Sequence, residues 1–163
     1  MSKKPHLPSV PLDEQRLTVT AIESVQVLEF FPDLLLVRVH TDQGIVGHGE
    51  TYYCAEAVQS MLHDWMVRRL LGQDALAIES HWRFLYERAA NFGVRGTEIR
   101  ALSALDLALW DILGQVCNQP IYRLLGGPVC NKIPVYNSCG NPQYGPSKIG
   151  QRGWPGFGTI GQP

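Results

Sequence analysis

What the chain lacks narrows its class first. Lys and Arg form no run beyond Lys3-Lys4 and the formal net charge is −1, so there is no concentrated basic face for nucleic acid or an anionic membrane. No apolar stretch approaches the ~18–20 residues that span a bilayer. Met1–Pro11 is polar and proline-rich, without the apolar core of a signal peptide. This predicts a disordered tail over residues 1–16 of a cytoplasmic protein. Cys54, Cys117, Cys130 and Cys139 form no CxxC pair, and outside a secretory context they read as reduced thiols. The five histidines show neither HExxH nor any clustered ligand spacing, and no GxSxG elbow or Walker loop is present. A length of 163 residues with 45% hydrophobic and 18% charged residues suits one globular domain, or one domain and part of a second.

What is present centres on Ser103–Gly127. Leu102, Leu105, Leu109, Ile112, Leu113 and Val116 form one stripe at helical spacing, and Ala101, Ala104, Ala108 and Trp110 form another. A helix apolar on nearly every side lies between two layers rather than on a surface. Pro120 stops it, a short turn over Ile121–Leu125 follows, and Gly126-Gly127 closes the unit. The chain is expected to supply one packing partner for this helix and to lack the other.

Ahead of it, Leu17–Leu28 is rich in β-branched residues and predicts a strand with a bulge near Ile22. Glu29–Asp33 is a loop broken by Pro32, Leu34–His40 a second strand, Thr41–Gly44 a turn and Ile45–Glu50 a third strand. Such short connections make an antiparallel meander. Gly47 and Gly49 in the third strand imply that another backbone packs close by. Helical spacing then takes over, with Ala55, Val58, Leu62, Trp65, Met66 and Leu70 on one face. Asp74 is placed to cap a second helix with Ile78, Trp82, Leu85 and Ala89 inward and Glu79, Arg83 and Glu87 outward. Asn91–Gly96 is a loop and Thr97 caps the apolar helix. Strands followed by helices make an α+β domain. After Gly127, Lys132–Asn137 reads as one further strand, and beyond Gly140 glycine, proline and polar residues dominate. A structureless stretch like that rarely closes a domain.

The meander ending in GHGE, then ALSALDLALWDILGQ, QPIYRLLGG and KIPVYN, in that order, resembles the enolase superfamily in its mandelate racemase and muconate-lactonising branch. The resemblance implies an α+β capping domain over residues 17–127, a three-stranded antiparallel meander followed by a helical bundle. Residues 128–163 would then be the first strand and a Gly/Pro-rich loop of a truncated (β/α) barrel. A whole barrel needs about 200–250 residues, so almost all of it is expected to lie outside this sequence. The implied chemistry is abstraction of the proton α to a carboxylate, with Mg²⁺ and the bases carried by barrel strands. Dehydration of an acid sugar leads, and racemisation, epimerisation or cycloisomerisation share the first step. No catalytic residue and no metal ligand is assigned within this chain, which alone should be inactive. A small carboxylate, the missing barrel and a homo-oligomer are the implied partners. A different class, a non-catalytic binding or oligomerisation module, remains open.

What a cap supplies is enclosure and specificity. The resemblance places Phe30, Phe31 and Asp33 in one capping loop and Tyr52 and Tyr53 in another. Large aromatic groups on loops either line a substrate cavity or pack on their own domain, and a tyrosine hydroxyl can bond substrate oxygens. Asn137 and Ser138, at the end of the first barrel strand, are substrate contacts or ordinary rim residues. Cys54 adjoins the second loop, but a lone thiol without a base is no nucleophile signature. Asp106 and Asp111 lie on the apolar helix, where a buried carboxylate invites a catalytic reading; the resemblance implies that both are structural instead, paired with arginine, for which Arg95 and Arg100 are near in sequence, or with backbone donors. Glu50 matches the glutamate that ends the GxGE strand of the family it resembles, which implies either a structural group or one that supports site residues from behind, leading into the loop. GFGTIG, residues 156–161, matches a dinucleotide fingerprint without the strand and helix it needs.

Overall fold

The computed structural model describes residues 16–27, 31–93 and 95–134 of the chain. Three strands, β1 (Val19–Val27), β2 (Phe31–Thr41) and β3 (Val46–Tyr52), form an antiparallel sheet in the order β1-β2-β3. Alternation sets its inner face: Leu35, Val37, Val39 and Thr41 of β2 are buried while Leu36 and Arg38 face out. The β1 ladder shifts register between Val19 and Ala21. Val19 and Ile22 are both buried, an odd spacing that only an extra residue can reconcile with a two-residue period. The irregularity expected near Ile22 therefore falls at Thr20. The β2–β3 turn keeps its expected chemistry, with Thr41 Oγ1 donating to the Ile45 carbonyl at 2.8 Å and Gly44 at φ 77°.

The first connection is shorter than Glu29–Asp33. β2 already begins at Phe31, so Pro32 and Asp33 are strand residues. Proline is tolerated there because the register slips between Gln26 and Val27 and the ladder asks for no N–H. The Pro32 carbonyl instead accepts the Gln26 amide at 2.6 Å.

α1 (Ala55–Met61), a π-helical turn (Leu62–Met66) and α2 (Val67–Leu70) make one continuous helical stretch. Ala55, Val58, Leu62, Met66 and Leu70 are buried as the spacing predicts, but Trp65 is half-buried and Val67 takes an inner position. The wider turn shifts the phase of the helix at that point. α3 (Ile78–Ala89) buries Ile78, His81, Leu85 and Ala89. The expected Trp82 is exposed and His81 is inside, its Nε2–H donating to the Asp74 carbonyl at 2.7 Å. The Asp74 carboxylate does not cap α3. It accepts the N–H groups of Leu17 and Leu76, while Gly72–Ala75 hydrogen-bonds to Leu17 and Val19 alongside β1.

α4 (Thr97–Cys117) is the long apolar helix. Thr97 is its first residue rather than its cap. Glu98 turns back instead, its Oε1 accepting the Arg95 and Gly96 N–H groups at 2.8 Å each, which satisfies donors ahead of the first turn. Asn118 at φ 49° ends α4 ahead of Pro120, and α5 (Ile121–Leu124) follows. The two expected stripes of α4 merge into one buried arc of Ala101, Leu102, Ala104, Leu105, Ala108, Leu109 and Ile112. β2, β3, α1 and α3 all pack on α4, so this chain covers more of the helix than the all-round apolar pattern suggested. Trp110 and Leu113 are partly buried, and Val116 is exposed beyond the packed region. Lys132–Pro134 form no strand, and Val135–Asn137 lie outside the described residues.

Candidate functional site

Antiparallel pairing brings the start of β2 and the end of β3 together. Leu34 stands opposite Tyr52 and Leu35 opposite Thr51, and the Tyr53 N–H donates to the Asp33 carbonyl at 3.0 Å. The two candidate segments, far apart in sequence, thus lie together at one end of the sheet, whose rim is the Tyr52–Tyr53 edge. Tyr52 is the last residue of β3 and not a loop residue; Tyr53 and Cys54 alone turn the chain into α1. Both adopt the left-handed conformation, at φ 73° and 54°, which costs a non-glycine residue about 1–2 kcal/mol. Their rings stay out of the core: Tyr52 is 44% and Tyr53 41% exposed. The rings meet edge-on with centroids 4.3 Å apart, a favourable aromatic geometry. Asp33 is half-buried at the same edge. Phe30, Asn137 and Ser138 lie outside the described residues, as does the GFGTIG segment; Phe31 is the first residue of β2.

The helix beneath fixes this edge. A Cβ on Gly47 would collide with the Ala108 carbonyl, and one on Gly49 with the Ala104 carbonyl, so the α4 backbone lies directly on β3 as the two glycines implied. Two strand residues advance about 6.6 Å and four helical residues about 6 Å, so the pairing of Gly47 with Ala108 and Gly49 with Ala104 continues along both elements. One step further it brings Arg100 to the end of β3. There its Nη1 donates to the Tyr52 carbonyl and its guanidinium carbon lies 5.3 Å from the Tyr53 ring centroid. In the other direction Asp111 Oδ2 accepts the His48 N–H at 2.9 Å, and Gln115 donates to the Val46 carbonyl at 2.8 Å.

These contacts decide the carboxylate roles. Asp111 is structural, on a backbone donor as expected. Asp106 has neither the expected arginine nor any other ion-pair partner among the described residues, and the Arg100 guanidinium goes to the Tyr52 carbonyl. Burial, aided by the charge of Glu79, raises the Asp106 pKa. Backbone N–H groups, Gly96 first, hold Glu98 below the usual carboxylate range. On the outer sheet face a hydrogen bond from His40 and the Arg38 charge lower Glu23. His40 thus faces Glu23 at 3.0 Å, and His48 lies opposite Arg38. Glu50 is exposed on β3, and Cys54 is exposed. Sequence reasoning missed Arg100 as a partner of the tyrosines; the signal was its place one helical turn before Ala104, in step with the glycine spacing of β3.

Residues 12–126 match the family described as mandelate racemase / muconate lactonizing enzyme, N-terminal domain. The chain is 39% identical over 97 residues to arabinonate dehydratase of Saccharolobus solfataricus, covering 58% of this chain and 26% of that protein. It is 38% identical over 119 residues to a D-galactonate dehydratase family member of Streptomyces bingchenggensis, covering 71% and 29%. A crystal structure of an enolase of the mandelate racemase subgroup from Agrobacterium tumefaciens aligns with TM-score 0.61 at 43% identity, over 68% of this chain and 30% of that one. The chain thus spans between a quarter and a third of the length of each.

Proposed function

The chain belongs to the mandelate racemase / muconate lactonizing enzyme family, residues 12–126 matching its N-terminal domain, and from that premise we propose that the Tyr52–Tyr53 edge is part of the lid of an acid-sugar dehydratase. The reaction is removal of the proton α to a carboxylate and loss of a hydroxyl as water, leaving a 2-keto-3-deoxy acid. The observation that carries this reading is the pair of exposed tyrosines where β2 and β3 end, in a chain whose relatives are named as dehydratases of sugar acids. A lid of this kind excludes water, which strengthens every electrostatic term beneath it. The tyrosine hydroxyls donate to the oxygens of a polyhydroxylated substrate, and Asp33 lies at the same edge.

The family chemistry uses Mg²⁺, whose charge stabilises the enediolate as it forms. Among the described residues no three His, Cys, Asp or Glu side chains are grouped so as to hold an ion. These described residues therefore do not fit the metal. The same reading assigns the bases and metal ligands to a barrel domain, and homo-oligomeric assembly and a cytoplasmic location belong with it.

The intact mass of the protein purified from its source comes first. A mass of twice 18.2 kDa or more, with formation of a keto acid from arabinonate, galactonate or mannonate in the presence of Mg²⁺, supports the proposal. Epimerised substrate without keto acid overturns the dehydratase in favour of a racemase. A mass of 18.2 kDa without turnover overturns the enzyme reading in favour of a non-catalytic module.

A further inference from the structure

We propose that Arg100 is the positioning residue that holds the Tyr52–Tyr53 edge in its lid conformation. The inference deepens the dehydratase reading and rests on it for the word lid, but its geometry stands independently. One guanidinium addresses both tyrosines, donating from Nη1 to the Tyr52 carbonyl and lying 5.3 Å from the Tyr53 ring centroid. From the other side the Asp33 carbonyl accepts the Tyr53 N–H at 3.0 Å. The left-handed pair Tyr53-Cys54 is therefore gripped between β2 and α4. Conformations of that kind persist only where their surroundings over-determine them, and Arg100 and Asp33 are those surroundings. Since the 21 residues of α4 rest on β2, β3, α1 and α3, Arg100 refers the tyrosine positions to the packed centre of the domain. The role calls for arginine: a planar fork places one N–H on a carbonyl while its face or edge stays near a ring, and a lysine ammonium satisfies either contact but not both.

Hydrogen exchange on the full chain tests this, comparing Arg100→Ala and Arg100→Lys with the parent. Exchange in the segment Tyr52–Ala55 should quicken about tenfold in Arg100→Ala, the size of one charge-assisted hydrogen bond, and less in Arg100→Lys. Exchange in α3 and the middle of α4 should stay unchanged. Unchanged exchange in Tyr52–Ala55 overturns the proposal, as does a rise spread evenly over the domain in Arg100→Lys, which would make the residue one of general stability. Should Arg100→Ala fail to fold, Arg100→Lys and alkylation of Cys54 relative to Cys117 decide instead: selective acceleration at Cys54 supports the proposal and equal rates overturn it. In the catalytically active protein, Arg100→Lys should raise KM for the acid sugar several-fold with little change in kcat. Faster loop exchange with KM unmoved leaves Arg100 as the positioning residue but removes the lid role from the dehydratase reading.

Discussion

Gly44 and Gly49 belong to the same meander, yet substitution at each fails for a different reason. Gly44 sits in the turn at φ 77° with open space where a Cβ would stand. Gly44→Ala meets conformational strain alone and should cost about 1 kcal/mol. Gly49 has no such constraint, but its Cβ would stand on the Ala104 carbonyl. Backbone cannot yield as a side chain does, so Gly49→Ala should cost about 3 kcal/mol or more, at the upper end of overpacking effects. Urea denaturation of the two variants separates the cases; equal losses would mean that α4 moves away from β3 freely. Glu98 makes a prediction about pH. Its folded pKa is lowered by the backbone donors of the loop before α4, so the folded state favours the ionised form. That contribution is complete above the ordinary glutamate pKa and is lost as pH falls through the lowered folded one. Glu98→Gln should therefore be about 1–2 kcal/mol less stable at neutral pH, and the difference should close as both proteins are taken below the ordinary glutamate range. A difference that is constant with pH would assign the loss to packing.

At the scale of elements, α4 is both core and edge cover. An open β3 edge would be a template for pairing with another chain. Arg100, Asp111 and Gln115 instead meet its Tyr52 carbonyl, His48 N–H and Val46 carbonyl. Asp111→Ala should cost about 1 kcal/mol, since water reaches the freed N–H, and amide exchange at His48 should quicken while that at buried Val37 does not. The same element shows what the sequence made legible. Gly47 and Gly49 announced a close backbone, and the Leu102–Ile112 spacing announced a buried helix, because both are local patterns with one physical reading. The choice between His81 and Trp82 was not legible, since both fit the inward period of α3. The hydrogen bond from His81 to the Asp74 carbonyl depends on a turn that only the folded chain forms. Thr97 likewise looked like a cap by residue type, while the donors ahead of α4 were taken by Glu98, three residues from Arg95 and within reach only once the loop had closed. For the site, the two tyrosines could be named from their place after GHGE, but the shared edge with Asp33 is a matter of strand register, and Arg100 reaches Tyr52 across 48 residues.

Among the described residues of the molecule, the apolar core is closed between sheet and helices while the outer side of the helices keeps large apolar groups in solvent. Leu107, Tyr122 and Leu125 are all more than two-fifths exposed. Between α3 and α4 lies an open groove of about 510 Å³ lined by Trp82, Trp110 and Leu113, with Glu79 and Asp106 on its wall. Apolar surface of this kind, in a chain that spans 26% and 29% of two relatives, should make the isolated chain bind hydrophobic dye and self-associate. Leu107→Ser combined with Leu125→Ser should reduce both, whereas a monodisperse parent chain that binds no dye would show that this surface is tolerated as it is. Asp106 adds an electrostatic test of the same groove. Burial first and Glu79 second raise its folded pKa above the unfolded value, the reverse of Glu98. The ionised carboxylate therefore opposes folding at neutral pH, and stability returns as pH falls through the raised folded value. In the isolated chain Asp106→Asn should raise Tm by about 2 °C at neutral pH, a change of less than 1 kcal/mol for a partly solvated group. The gain should vanish in acid, where the parent carboxyl is already neutral. A lower Tm at neutral pH would instead mean that the Asp106 charge is compensated in solution, with self-association in this groove as the first place to look for its cation.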